Sequence, residues 1–145
     1  MSAAPDFSRL EFRPFRGDDR LLASLGPVSV AGEGTQIVLR LEPGPDALNP
    51  GGFLHGGALS ALFDVALYEA AKAGLSGEAV TVSLDLKFLL PGASDLPLTI
   101  VPQILRAGRS LATISGQAFQ GGRLIAFATG QFARTAPHSA RKEPA

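Results

Sequence analysis

Two hydrophobic periods divide this chain. Between Gly57 and about Ala73, apolar residues almost surround a run of strong helix formers, which predicts one long helix packed on most of its surface. Lys72 in the last turn and Gly74 beyond it read as the stop. One lane differs: Gly57, Ser60, Asp64 and Tyr68 recur every three or four residues and share a face. Downstream the period falls to two. Ala79 to Leu90 alternates, with Val80, Val82, Leu84, Leu86 and Phe88 on one face and Thr81, Ser83, Asp85 and Lys87 on the other, until Pro91-Gly92 breaks it. Leu98 to Leu105, Ser110 to Phe119 and Arg123 to Arg134 read as three further strands, separated by the turn signals Ala107-Gly108 and Gly121-Gly122. Such short separations favour antiparallel neighbours, because parallel pairing needs a long crossover.

Upstream the pattern is weaker. Met1 to Gly17 has no period and reads as an irregular lead-in that Phe7, Phe12 and Phe15 pin down. Asp18 and Asp19 favour the start of a short helix through Leu21, Leu22 and Leu25, which Gly26-Pro27 stops. Thr35 to Glu42 predicts a strand with Ile37, Leu39 and Leu41 on one face. Pro43 to Gly52, with three prolines and three glycines, reads as a structured loop. The tail from Thr135 is patternless and expected to fray. Strand, loop, long helix and four strands fit an α+β domain in which an antiparallel sheet wraps one apolar helix. The expected division is a lead-in over 1–24, one domain over 25–134 and a disordered tail over 135–145.

Composition narrows the class. At 145 residues there is room for one core, and thirteen basic residues against thirteen acidic ones leave nothing to attract nucleic acid. Ala58 to Ala73 is shorter than a membrane span and is interrupted by Asp64, Glu69 and Lys72. The opening residues lack the basic start and apolar run of a secretory signal, so the cytoplasm is the expected location. Absence of cysteine excludes disulfides and thiol catalysis, and two histidines are too few for a Cys/His zinc cluster. No Walker motif, dinucleotide fingerprint or HExxH occurs. A charged fraction of 18% with seventeen glycines points to surface covered by further copies of the chain.

Chemistry concentrates ahead of the long helix. Asn49-Pro50-Gly51-Gly52-Phe53-Leu54-His55-Gly56-Gly57 brings an amide and an imidazole into a glycine-rich loop that feeds the helix N-terminus. Unpaired N–H groups in a first helical turn stabilise negative charge developing on an oxygen. Gly56 and Gly57 let a carbonyl approach without interference from Cβ, and the Gly57 N–H is the candidate oxyanion donor. The plainer reading is a turn that redirects the chain. Asp64, inside an apolar helix, is costly unless paired, neutralised or placed at a cavity; at a cleft it serves as general base or nucleophile, and otherwise it bonds Ser60 or Tyr68 or meets solvent. His55 is a base, an orienting donor or a turn residue. Asn49 either makes an Asx-turn or holds His55 or water, and Thr81 either orients a carboxylate or is an ordinary strand residue. Lys87, Arg106 and Arg109, near strand ends and turns, are candidates for phosphate contacts or plain surface charge. Leu59, Phe63 and Tyr68 are the helix residues expected to line an acyl pocket.

Asn49, His55-Gly56-Gly57, Asp64 and Thr81 within Val80 to Pro91 resemble the hotdog-fold acyl-CoA thioesterases of the phenylacetic-acid-degradation (PaaI-like) type, in the 4-hydroxybenzoyl-CoA thioesterase superfamily. Gly108 to Ala112 and Gly122 to Ala126 also resemble that family's closing hairpin. The likeness runs from about Leu25 to Arg134. It implies a dimer, or a dimer of dimers, with active sites between subunits. Asp64 of one subunit then acts as base or nucleophile on an aromatic or aliphatic acyl-CoA, and Thr81 belongs to the same side of the site. The partner supplies the Gly57 N–H, while Asn49 and His55 position substrate or water. The resemblance implies no metal or organic cofactor; coenzyme A arrives with the substrate. The competing functions are a non-catalytic acyl-CoA binding protein and an enoyl-CoA hydratase on the same architecture.

Overall fold

A computed structural model describes residues 5–135. The order is β1 (Arg13–Pro14), α1 (Arg20–Leu25), β2 (Val28–Ala31), β3 (Val38–Leu41), α2 (Gly56–Leu75), β4 (Ala79–Phe88), β5 (Leu98–Ala107), β6 (Leu111–Gln120) and β7 (Arg123–Arg134). The strands form one sheet in the order β1-β2-β3-β5-β6-β7-β4, with every pair antiparallel. It wraps around α2, the arrangement of the hotdog fold.

Packing explains why α2 forms. Leu62, Phe63, Ala66, Leu67, Ala70 and Ala71 are fully buried, and they meet Leu39, Leu41, Leu98, Ile100, Ile114 and Phe132 from the sheet. Burying each large side chain contributes about 1.5–3 kcal/mol. Helix and sheet approach closely at Gly116, where a Cβ would come 2.7 Å from the Leu67 side chain and 3.2 Å from the Phe63 ring.

Several details depart from the sequence reading. Gly74 does not stop α2. It lies within the helix, where a Cβ would meet Ile104 Cδ1 at 2.7 Å, so glycine is there for contact with β5. The stop is Ser76, in the left-handed conformation at φ 53°, with its own N–H and that of Gly77 closing on Ala73 and Lys72 carbonyls. Thr35 to Glu42 is strand only over Val38–Leu41, because Gly34–Gln36 makes a 3-10 turn. The four-residue β2 has no counterpart in the sequence pattern. The lead-in carries a strand that the sequence pattern does not show: Arg13 and Pro14 pair with Val30 and Ser29, while Phe12 lies under Arg40 at 3.8 Å and Arg16 reaches Glu69 at 2.6 Å. Helix α1 forms as expected, capped by Asp19, whose side chain accepts from the Leu22 N–H at 3.0 Å. The predicted tail, apart from Thr135, lies outside the described residues.

One irregularity positions the site. Within β4, Thr81 lies opposite Phe132 and Ser83 opposite Gln131, so Val82 is an extra residue in a β-bulge. Phe132 is fully buried and Gln131 exposed. Thr81 therefore turns toward α2 while Ser83, Asp85 and Lys87 face away, and the single polar face read from the sequence is split between two sides.

Candidate active site

The loop before α2 is built around Asn49. Its Oδ1 accepts from the N–H groups of Gly51 at 3.0 Å and Phe53 at 3.1 Å, and its own N–H donates to the Phe53 carbonyl at 2.8 Å. A Leu48–Leu54 bridge and the His55 N–H donating to the Ala47 carbonyl close the loop. Asn49 thus spends its side-chain oxygen on the turn, and no hydrogen bond joins it to His55. His55 is the N-cap of α2: its Nδ1 accepts from the Gly57 N–H at 2.9 Å. Because Nδ1 accepts, the neutral ring carries its proton on Nε2. The candidate oxyanion donor is accordingly engaged by the neighbouring imidazole in this conformation.

Asp64 lies two turns further along α2. It is partly buried, and the Thr81 hydroxyl donates to its Oδ1 at 2.7 Å. Among the described residues no basic side chain lies within ion-pair distance of it. Neither Ser60 nor Tyr68 is its partner. Ser60 donates to the Gly56 carbonyl at 2.7 Å, and Tyr68 donates to Glu78 at 3.4 Å, with its ring 6.4 Å from that of Phe132. Burial pushes the Tyr68 phenol above its ordinary pKa.

These groups fall into two separate clusters. Seven residues separate Gly57 from Asp64, about 10.5 Å along the helix axis, so one carbonyl cannot touch both within one chain. The first cluster is His55 and Gly57, with Asn49 in the same loop but bonded to neither; the second is Asp64 and Thr81. Among the residues expected to line an acyl pocket, Phe63 is fully buried against Gly116 and closed to a ligand because the sheet covers it. Leu59 does line a cleft of about 400 Å³ at the start of α2, with Leu54, Gly56, Phe88 and residues 89–92. Sequence reasoning misses Phe88 and this wall, although Phe88-Leu89-Leu90-Pro91 is an apolar run at a strand end. The basic residues are not gathered either. Lys87 pairs with Asp85 at 3.2 Å and lies opposite Phe127, whereas Leu111, beside the turn that bears Arg109, lies opposite Ala133. The six residues from Phe127 to Ala133 span about 20 Å.

Among the described residues, no cluster of three metal-ligating side chains occurs and no helix is long and apolar enough to cross a membrane. The fold defines a class, and comparison with known families agrees: residues 51–126 match the family model of the Thioesterase superfamily, to which the chain belongs. Within it the resemblance is to PaaI-like proteins. A mutant form of the phenylacetic acid degradation protein PaaI from Thermus thermophilus superposes with a TM-score of 0.74 at 27% identity, covering 81% of this chain and 100% of that one. PaaI from E. coli gives a TM-score of 0.74 at 23% identity over 82% of this chain and 86% of that chain. Zebrafish thioesterase superfamily member 2 gives 0.73 at 24% over 83% and 88%. The last two bear on the fold alone. A search of curated sequences returns no significant match.

Proposed function

We propose that this protein hydrolyses acyl-CoA thioesters to a free acid and coenzyme A, with Asp64 as general base or nucleophile and the Gly57 N–H as oxyanion donor. The observation that carries this reading is the 2.7 Å hydrogen bond from Thr81 to Asp64. It fixes one carboxylate oxygen of a partly buried, cation-free aspartate and leaves the other for water or substrate. As base, Asp64 takes a proton from water, whose oxygen bonds to the thioester carbon; collapse of the tetrahedral oxyanion then breaks the C–S bond and expels the thiolate. As nucleophile, the carboxylate oxygen forms that bond, releasing thiolate and leaving an anhydride that water cleaves. Either route develops charge on the carbonyl oxygen, where one well-placed N–H is worth about 10²–10³ in rate.

The spacing of Gly57 and Asp64 asks for two copies of the chain, each giving one half of every site. Asn49 shapes the loop and His55 orients the substrate, while Lys87, Arg106 and Arg109 of the two copies reach the nucleotide phosphates. Neither route calls for a metal or organic cofactor. The acyl group is aromatic or medium-chain; the name of the Thermus relative, a phenylacetic acid degradation protein, favours the aromatic alternative.

The test is thiol release from short, medium, long and aromatic acyl-CoA esters by the parent protein and by Asp64→Asn. Turnover that falls at least about a hundredfold in the variant, with oligomeric state kept, is the expected result. Equal turnover would remove Asp64 from the mechanism. A second reading, acyl-CoA binding without turnover, draws on the engagement of the Gly57 N–H by His55. It predicts binding of every ester and thiol release from none.

A further inference from the structure

Residues 89–97 connect β4 to β5 without helix or strand, and Pro91 and Pro97 bring no N–H of their own. The polar backbone groups of this segment need partners elsewhere. Leu89 and Leu90 find one in the Ile125 carbonyl. Between Ala93 and Leu96, among the described residues, the hydrogen bonds that fasten the segment all come from one side chain. Gln120, at the end of β6 and 4% exposed, accepts the Ala93 N–H on Oε1 at 2.7 Å. Its Nε2 donates to the Ala93 carbonyl at 2.9 Å and the Leu96 carbonyl at 3.0 Å. The site calls for an acceptor and two donors at once, and a primary amide is the uncharged side-chain group that supplies both.

The braced segment in turn holds the loop ahead of α2. Asn49 shapes that loop from within, and the bond from the His55 N–H to the Ala47 carbonyl also closes inside it. Such bonds fix the shape of the loop and leave its place open. Among the described residues, residues 47–55 reach beyond their own loop and α2 through one hydrogen bond, from the Leu54 N–H to the Gly92 carbonyl at 2.9 Å. Leu54 is buried, and a Cβ on Gly92 would meet its side chain at 2.7 Å. His55 follows directly, with its Nδ1 on the Gly57 N–H. A continuous path leads from the Gln120 amide through residues 92–96 to Leu54 and the first turn of α2.

We infer that Gln120 is a positioning residue for the reaction, setting where His55 and the Gly57 N–H stand by bracing the segment that holds Leu54. The inference rests on the thioesterase reading. Without the amide, the Ala93 N–H and the carbonyls of Ala93 and Leu96 lose their buried partners, and the segment shifts to meet water. Leu54 then loses its fixed acceptor. A displacement on the order of 1 Å at a group that acts in the reaction costs up to about 100-fold in rate. An oxyanion bond strengthens in the transition state, so the loss falls on kcat and leaves KM in place.

The test compares the full-length protein with Gln120→Met and Gln120→Ala. The alanine variant is included because water can enter the space and partner the freed groups, which keeps the fold if Gln120→Met loses it. Amide hydrogen exchange at Leu54 should be at least about tenfold faster, while amides inside α2, such as those of Leu67 and Ala70, exchange as in the parent. The 15N signals of the Gly57 amide and the His55 ring should move. With acyl-CoA esters, kcat should fall about 10- to 100-fold and KM should stay within about twofold. Parent-like exchange at Leu54 with unmoved Gly57 signals overturns the brace, and so does faster exchange spread evenly through α2, which marks a loss of overall stability alone. A displaced first turn with unchanged kcat overturns the positioning role. If the parent hydrolyses no ester while the exchange and signal changes appear as expected, the brace stands and the thioesterase reading falls instead.

Discussion

Thr81 is where the chemistry of a single residue is most exposed to test. Its hydroxyl is the sole hydrogen-bond donor observed on the Asp64 side chain among the described residues. A hydrogen bond to a charged group is worth about 1.5–3 kcal/mol, or about 10- to 100-fold in rate when the charged group acts in the reaction. Thr81→Val keeps the side-chain shape and removes the donor, so thiol release should fall by that factor, with the melting temperature lowered by no more than about 10 °C and the fold kept. Thr81→Ser should restore most of it. An equal rate in Thr81→Val would leave the hydroxyl as a bystander. His55 carries a different lesson. Residue type and position identify it as a group at the helix start, yet only the structure shows its Nδ1 taking up the Gly57 N–H. Asn49 is similar: both of its readings are open in the sequence, and the Asx-turn is the one whose hydrogen bonds form.

At the scale of elements, periodicity carries most of the fold. The long helix and the last four strands bury enough apolar surface at regular spacing for their pattern to be unambiguous. What escapes is short or irregular. β1 and β2 hold too few residues to establish a period, and the bulge at Val82 is a single inserted residue that leaves the alternation intact on paper. Its effect on the site is nevertheless large, since strict alternation would place Thr81 and Ser83 on the same face. That geometry makes an unusual prediction. Deleting Val82 removes only the extra residue, so Thr81 stays opposite Phe132 and Ser83 opposite Gln131. The deletion should fold and keep turnover within about tenfold of the parent, because Thr81 remains on the helix side. Deleting Leu84 instead leaves Thr81 to flip away from Asp64 or the bulge to be lost, and Leu84→Ala serves as the control for its packing alone. Thermal melts and thiol release on the three variants check this; an inactive Val82 deletion with a parent-like melt would show that the bulge itself, beyond its register, shapes the site.

The whole molecule sets the last constraint, because the proposed reaction needs Gly57 and Asp64 at one carbonyl and a single chain holds them about 10.5 Å apart along the helix. Strand β4 lies at the end of the sheet with ten residues and one unpaired edge, and Val80 and Val82 on it are half-exposed apolar residues. A free edge of that length and composition is a template for pairing. Two-fold pairing through β4 would make the contact self-complementary and give two equivalent sites, each with Asp64 from one copy and Gly57 from the other. The consequence can be read by complementation. Asp64→Asn removes the carboxylate, and Gly57→Pro removes the N–H at the second residue of α2, where the ring must also displace the His55 Nδ1 that accepts from it, so a parent-like melt is required of this variant first. Each variant alone should be nearly inactive. In a purified hetero-oligomer carrying one chain of each, one site combines both defects while the other combines two intact residues, so about half of the parent activity per dimer returns. If Asp64 and Gly57 of the same chain acted together, every site would carry one defect and nothing would return. Partial activity from the mixed species is therefore evidence for a shared site that neither variant, nor any measurement of size alone, supplies.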